Sequence, residues 1–170
     1  MGSGVVPHPA QQNDFVLIMS GVPGFSKLMA IRFGREGDLT GSNAILWTQT
    51  RGMCETTSPV LHDNKFYSLT DNGMLSCFNA TTGDPYYHQR RLPQPGNFIA
   101  SPVAACGNLY LASESGVITI IEMGEKFEMV ATNTLADHMF VASPAVAEGE
   151  LILRSKTHLF CVSDGKAEWR

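Results

Sequence analysis

Histidine is the first residue type to consider for acid–base or metal chemistry, because its imidazole titrates near neutral pH and binds metals. None of the five histidines stands two or four residues from another, the spacing that places two ligands on one face of a strand or helix. No signature such as H-E-x-x-H surrounds them. We therefore expect surface or turn residues rather than ligands at His8, His62, His88, His138 and His158.

The four cysteines give no stronger indication of a reactive site. Cys54, Cys77, Cys106 and Cys161 lie far apart, and no two of them form a C-x-x-C pair. No sequence neighbour supplies the base that a nucleophilic thiol needs. We expect reduced, structural thiols, with Cys54 or Cys106 the candidate for an exposed and oxidisable one. The sequence thus predicts no catalytic, cofactor-binding or metal-binding residue.

Composition excludes several classes of partner. The 170 residues are 44% hydrophobic and 16% charged and include 16 glycines and 9 prolines, which indicates a folded, turn-rich chain. A net charge of −4, with lysine and arginine scattered, offers no electrostatic footprint for nucleic acid. No apolar run approaches the roughly 18 residues that a membrane-spanning helix requires. We therefore expect neither nucleic acid nor a membrane as a partner.

An internal repeat organises the elements that would position any site. The dipeptide Ser-Pro recurs with spacings of 43 and 42 residues, which is the period of a propeller blade. The three copies are Ser58-Pro59, Ser101-Pro102 and Ser143-Pro144, and each begins a stretch of 22 residues that aligns with the others without a gap. In this alignment Cys77 shares a column with Ile120 and Val162, and Cys161 shares one with Ser76 and Thr119.

A fourth copy begins the chain, with His8-Pro9 in place of Ser-Pro. Its residues 15–20 match residues 108–113 in the same register, and its extra length lies partly in 21–25 and partly in 34–43, where surface loops tolerate insertions. Each copy has the pattern of four short strands. We predict a single all-β domain, 1–170, with blades at approximately 8–50, 58–90, 101–132 and 143–170.

Turn residues separate the predicted strands. Asp71-Asn72-Gly73 indicates a hairpin, because Asn and Gly accept the positive φ of a primed turn, and Glu114-Ser115-Gly116 stands at the same place one repeat later. His158 is the third copy of that glycine, which predicts a looser or different turn in the last blade. Trp47 and Trp169 fall in the outermost strands of the first and last repeats, where an indole can pack between blades.

The pattern of Ser-Pro-Val, a β run, Gly, a second β run such as residues 74–79, and then Ala-Thr-Thr-Gly resembles the repeat of the PQQ-like β-propellers. That superfamily includes quinoprotein alcohol dehydrogenases. The resemblance covers about residues 8–169 and implies a β-propeller of four-stranded antiparallel blades, four of them in this chain. Because the repeat encodes blade packing, which unrelated activities share, it implies the fold rather than the function.

Quinoprotein dehydrogenases hold their quinone at the centre of the ring beneath a tryptophan, with a disulfide between adjacent cysteines and a calcium ion bound by acidic and amide side chains. This chain has no Cys-Cys pair, and both tryptophans fall in outer strands. Since a cofactor carries the difficult chemistry and needs its ligands, we expect no cofactor and no enzyme activity. A remnant of a quinoprotein-type oxidoreductase is the alternative.

A blade cannot bury both of its faces alone, so blades must stack into a ring. Four blades leave three arrangements open: a homodimer that completes an eight-bladed ring through first and last blades, a four-bladed ring closed on itself, and one half of a longer protein. In the homodimer, Trp169 or its neighbours should be buried against the first repeat of a partner.

The leading hypothesis for function is a non-enzymatic scaffold or binding module. In it the blades supply a rigid frame, and the loops between strands recognise a protein, a peptide or a carbohydrate. A chain without activity of its own, serving as half of a larger propeller, is the remaining alternative.

Overall fold

The computed structural model describes residues 7–20, 26–94 and 96–163. These residues form fifteen β-strands and no helix, and thus no helix that could cross a bilayer. The strands make four antiparallel sheets in chain order, three with four strands and the last with three. Each sheet is one blade, so the prediction of an all-β propeller with four blades in this chain is confirmed.

Each blade is a meander of short strands separated by turns, as the period-2 pattern of the sequence requires. Blade 1 contains β1 (Ala10–Gln12), β2 (Phe15–Ser20), β3 (Lys27–Arg32) and β4 (Ile45–Gln49), and blade 2 contains β5 (Val60–His62), β6 (Lys65–Leu69), β7 (Met74–Asn79) and β8 (Pro85–Arg91). Blade 3 contains β9 (Val103–Ala105), β10 (Asn108–Ala112), β11 (Val117–Glu122) and β12 (Glu128–Thr134), and blade 4 contains β13 (Ala145–Ala147), β14 (Glu150–Arg154) and β15 (Leu159–Val162). The predicted outer strand with Trp169 lies outside the described residues.

The blades stack face to face, and apolar side chains between them form three clusters, one for each pair of successive blades. Alternate residues of a strand point to opposite faces of its sheet. Blades 2 and 3 therefore each pack one set of side chains against the preceding blade and another set against the following blade. The clusters join, in order, Leu17 with Phe66, Leu69 with Leu111, and Ile118 with Leu153.

The four blades form an open arc. Their innermost strands contact one another in sequence, β1 with β5, β5 with β9 and β9 with β13, whereas β1 and β13 do not touch. Among the described residues, no apolar cluster joins blade 4 to blade 1. The arrangement in which this chain closes on itself as a four-bladed ring is therefore not the one observed.

The Ser-Pro repeat corresponds to a series of hydrogen bonds from blade to blade. The Ser58 N–H donates to Ser101 Oγ (2.8 Å), and the Ser101 N–H donates to Ser143 Oγ (2.9 Å). The His8 N–H begins the series by donating to Ser58 Oγ (3.2 Å). Each serine thus accepts from the blade before it. Of the adjoining prolines, Pro102 and Pro144 are buried, Pro59 is partly buried and Pro9 is exposed.

The hairpin turns of blades 2 and 3 depend on a glycine, but not in a primed turn. Gly73 has φ of 79° and donates its N–H to Thr70 O, while the Thr70 N–H donates to Met74 O. Asn72 is not among the residues with positive φ. This pattern is a three-residue loop that ends in a left-handed glycine, the G1 bulge. Gly116 adopts the same conformation in blade 3, with φ of 82°.

The hairpin of blade 4 is one residue shorter. The Ser155 N–H donates to His158 O (2.9 Å), which leaves a loop of residues 156 and 157. Because this loop lacks one residue, the ungapped alignment is out of register along β15. Cys161 pairs with Ile152 and so occupies the place of Cys77. The prediction that Cys161 shares a column with Ser76 and Thr119, and Val162 with Cys77, is wrong for this reason.

Candidate functional site

A polar cleft of about 420 Å³ lies between blades 1 and 2. Its walls come from the connection between β4 and β5 (residues 50–55), the β6–β7 hairpin loop and the end of β8. In a meander, alternate turns lie at opposite ends of the strands, so these loops share one face of the arc. The packed blades therefore act as a frame, and the cleft is made by the loops at one end of that frame.

Asp71 fixes the wall of the cleft by joining two loops. Its carboxylate accepts hydrogen bonds from Thr56 Oγ1 (2.7 Å) and from the Thr56 N–H (3.2 Å). Its backbone carbonyl accepts from the Phe98 N–H (2.9 Å). Next to it, Thr70 Oγ1 donates to Asn72 Oδ1 (2.6 Å). Because its polar groups are paired within the chain, this wall is preorganised.

Gln89 reaches the cleft through an irregularity of β8. The register of β7 and β8 shifts between Leu75 and Cys77, and Gln89 has φ of 49°, in the left-handed region that a glutamine seldom adopts. Its N–H donates to Ser76 Oγ (2.9 Å). Bulges of this kind redirect a side chain and occur often beside functional sites. Here the redirected glutamine lines the cleft.

Glu55 gives the cleft an unpaired carboxylate. It is partly buried in the wall, and it has no hydrogen bond or ion pair with any residue that the structure describes. Together with Asp71 it makes the cleft acidic, since no lysine or arginine is among the described lining residues. A cleft with this charge attracts positively charged groups and N–H donors.

The histidines fall on separate elements, with one exception that the sequence did not indicate. His8 Nδ1 lies 3.0 Å from Ser58 Oγ, His62 is exposed in β5, and His88 Nε2 lies 3.1 Å from the Arg51 carbonyl. The rings of His138 and His158 meet edge to face with centroids 5.0 Å apart. Within 7–20, 26–94 and 96–163, however, no three His, Cys, Asp or Glu side chains group closely enough to hold a metal ion.

The cysteines divide into two buried and two exposed thiols. Burial raises the pKa of Cys54 to about 11 and the pKa of Cys77 to about 12, so both stay protonated at neutral pH. Cys106 is exposed in the β9–β10 turn, whereas Cys54 is not. Cys161 Sγ donates to Glu150 Oε2 (2.8 Å), and this hydrogen bond raises its pKa.

Trp47 does not stand where the resemblance to the dehydrogenases would place a tryptophan over a quinone. Trp47 lies at the outer part of the blade 1–blade 2 interface, where its indole N–H donates to Ala80 O (3.1 Å) and its ring covers Gly83. It is therefore used in packing between blades, as predicted for an outer-strand tryptophan, and not at the centre of a ring. Trp169 lies outside the described residues.

No protein-family model matches the chain, and no curated protein sequence matches it. Solved structures do match. BamB from Moraxella catarrhalis superposes with a TM-score of 0.67 at 15% identity over 93% of this chain. The quinohemoprotein alcohol dehydrogenase ADHIIG from Pseudomonas putida HK5 superposes with a TM-score of 0.66 at 13% identity over 89% of this chain. These matches show the fold of a β-propeller.

A third match is the computationally designed Ika4 protein, with a TM-score of 0.71 at 10% identity, over 96% of this chain and 93% of that chain. The other two proteins are longer, since this chain spans 44% of BamB and 28% of the dehydrogenase. Identities this low show the fold alone. The resemblance predicted from the repeat is confirmed for the fold. The matches do not assign the activities of those proteins to this chain.

Proposed function

We propose that this chain is a non-enzymatic propeller scaffold that binds a peptide segment of a partner protein in the cleft between blades 1 and 2. The observation that carries this proposal is the pair of uncommitted polar side chains, Glu55 and Gln89, in a cleft whose wall is held by Asp71. Rigid walls with a few available polar groups are typical of a binding site, because little ordering entropy is lost when a ligand enters.

The chemistry of the lining favours a peptide over a sugar. A peptide offers backbone N–H groups and, at lysine or arginine, positive charge, for which the carboxylate of Glu55 is an acceptor. The amide of Gln89 can both donate to and accept from a peptide group. No aromatic ring, on which a sugar could stack, is among the described lining residues.

A binding role is also supported by what surrounds the carboxylates. A nucleophile or general base works with a partner within hydrogen-bond reach. No histidine, cysteine or lysine is among the described residues that line the cleft with Glu55 and Asp71. The two buried cysteines, with their raised pKa values, are not activated thiols either.

The test is a peptide array followed by affinity measurements. We expect the full chain to select short peptides that contain lysine or arginine, and the variant Glu55→Gln, which removes the charge and keeps the shape, to bind them about tenfold or more weakly. Fluorescence anisotropy with a selected peptide measures the ratio of Kd values.

Glu36→Gln is the matched control. Glu36 is exposed in the β3–β4 loop, at the other end of the strands, so its loss should leave the Kd unchanged. Failure to select any peptide, selection of glycans only on a parallel glycan array, or equal weakening by both variants would overturn the proposal.

A further inference from the structure

We propose that two copies of this chain close into one eight-bladed ring, with blade 1 of each copy packed on blade 4 of the other. In the part of the chain that the structure describes, two sheet faces of the arc are not covered by another blade. The leading face of blade 1 consists of Val16, Ile18, Met29 and Ile31, and the trailing face of blade 4 consists of Ile152, Arg154, Leu159 and Cys161.

The leading face of blade 1 is apolar yet belongs to none of the three clusters. Val16 pairs with Ile31 across β2 and β3, and Ile18 pairs with Met29, so the four side chains form one patch. In blade 3 the positions equivalent to residues 16 and 18 are Leu109 and Leu111, which are fully buried against blade 2. Blade 1 carries the same kind of face, and no blade formed by the described residues covers it.

The trailing face of blade 4 is largely exposed, with Arg154, Leu159 and Cys161 exposed and Ile152 partly buried. Its apolar residue Leu159 is 71% exposed, the highest value among the exposed large hydrophobic residues of the described chain. In blade 2 the corresponding face packs into the cluster with blade 3 through Tyr67, Leu69 and Leu75. No blade within residues 7–20, 26–94 and 96–163 covers the corresponding face of blade 4.

The repeat itself supplies the complementarity between these two faces. Within the chain, the trailing face of one blade packs on the leading face of the next three times. Blade 1 of a second copy would therefore present a leading face to blade 4, and the trailing faces of blades 1, 2 and 3 already pack on leading faces of this kind. A two-fold axis makes both junctions equivalent, so the assembly is closed.

The hydrogen bonds of the Ser-Pro repeat are also incomplete at both ends. The Ser143 N–H has no acceptor among the described residues, although the Ser58 and Ser101 N–H groups each donate to the serine of the next blade. At the other end, His8 stands where the repeat has serine, and no described backbone N–H donates to its side chain. An imidazole nitrogen can accept an N–H, so in the ring the second copy's His8 completes the series.

The curvature of the arc is that of a larger ring. The superposition on BamB uses 93% of this chain but 44% of the BamB chain. The covered 44% is close to the share that one of two copies would fill, whereas a four-bladed ring would need β1 and β13 to meet.

The first test is the molar mass of the full chain in solution by sedimentation equilibrium. We expect twice the chain mass of 18.5 kDa. Leu159→Glu should give the monomer, because it places a charge in the junction while costing an isolated chain little at so exposed a position. Val130→Glu, on the outermost strand of blade 3 and 56% exposed, is the matched control and should stay dimeric.

The second test reads the junction directly. In the dimer, the Ser143 amide should exchange with deuterium as slowly as the Ser101 amide, and in Leu159→Glu it should exchange at least tenfold faster while Ser101 stays protected. A monomeric wild type, a dimeric Leu159→Glu, or an unprotected Ser143 amide in a dimer would each overturn the proposal. Because the cleft lies within one chain, these results are independent of peptide binding.

Discussion

Gly116 is constrained twice, by its own backbone and by its neighbours. Its φ of 82° is unfavourable for any residue with a Cβ, and a Cβ at this position would lie 2.6 Å from the His138 carbonyl oxygen and even closer to that of Leu135. Both obstacles are backbone atoms, which cannot rotate away. Gly107 has a similar φ of 76°, but its Cβ would meet nothing within 4 Å. Substituting each of the two glycines by alanine therefore distinguishes two contributions to the free energy of unfolding, the cost of the left-handed conformation and the cost of the steric clash.

We expect Gly116→Ala to lower the free energy of unfolding by roughly 2 to 4 kcal/mol, because strain from overpacking adds to the cost of the left-handed conformation. Gly107→Ala should lose only about 1 kcal/mol, from the conformation alone. Urea denaturation of the wild type and both variants measures the difference. Equal losses for the two variants would contradict the close approach described for Gly116.

Single residues also show what a sequence reveals about backbone conformation. Gly73 and Gly116 mark turns because glycine is the residue that takes positive φ without strain. Gln89 takes the same region inside a strand, and its residue type gives no sign of it, because the bulge follows from the pairing of β8 with β7. The cleft was therefore missed from the sequence: its walls come from loops of two blades, and its key amide depends on a bulge.

At the scale of elements, the repeat predicts blades well because each blade reuses the same strand pattern and the same blade-to-blade contacts. The second-repeat strand β7, for example, spans the predicted residues 74–79. The ungapped alignment is wrong after the blade 4 hairpin because that loop is one residue shorter. Successive residues of β15 are apolar, so its sequence fits either of two registers that differ by one residue. Only pairing, Cys161 with Ile152, fixes that register.

The serine hydrogen bonds link elements that are far apart in sequence, and this gives a prediction at that scale. Ser101→Ala removes the acceptor of the Ser58 N–H, so we expect a loss of about 1 kcal/mol in the free energy of unfolding and faster hydrogen exchange at the Ser58 amide. Ser42→Ala is the control, because Ser42 Oγ accepts only from the nearby Ala44 N–H within one loop. Unchanged exchange at Ser58 would show that the hydroxyl is not its acceptor.

For the whole molecule, closure depends on the angle between successive blades. That angle is set by how side chains in the three clusters fill the space between sheets, a property that strand patterns do not encode. The sequence therefore did not decide between the ways of closing the ring, and the observed arc excludes only the self-closed four-bladed ring.

In the proposed dimer, the two-fold axis is the ring axis, so both copies present the cleft between blades 1 and 2 on the same face. A partner with two peptide segments would then bind both clefts with increased avidity.

The exposed thiols report ring closure in a way that mass alone does not. Cys161 lies on the trailing face of blade 4, so a partner blade should cover it, whereas Cys106 lies in the β9–β10 turn, away from both junctions. We expect maleimide to label Cys106 in the dimer. We expect it to label Cys161 in the wild-type dimer at least tenfold more slowly than in the variant Ile18→Glu. That variant places a charge on the leading face of blade 1 and leaves the surroundings of Cys161 within its own chain unchanged.

The rate at Cys161 is compared between wild type and variant, because the hydrogen bond from Cys161 to Glu150 raises the pKa of this thiol and slows its reaction in both proteins. Peptide mass spectrometry over time gives both rates, with Val130→Glu as the dimeric control. If Cys161 reacts equally fast in the wild type and in Ile18→Glu, then blade 1 of a second copy does not cover blade 4.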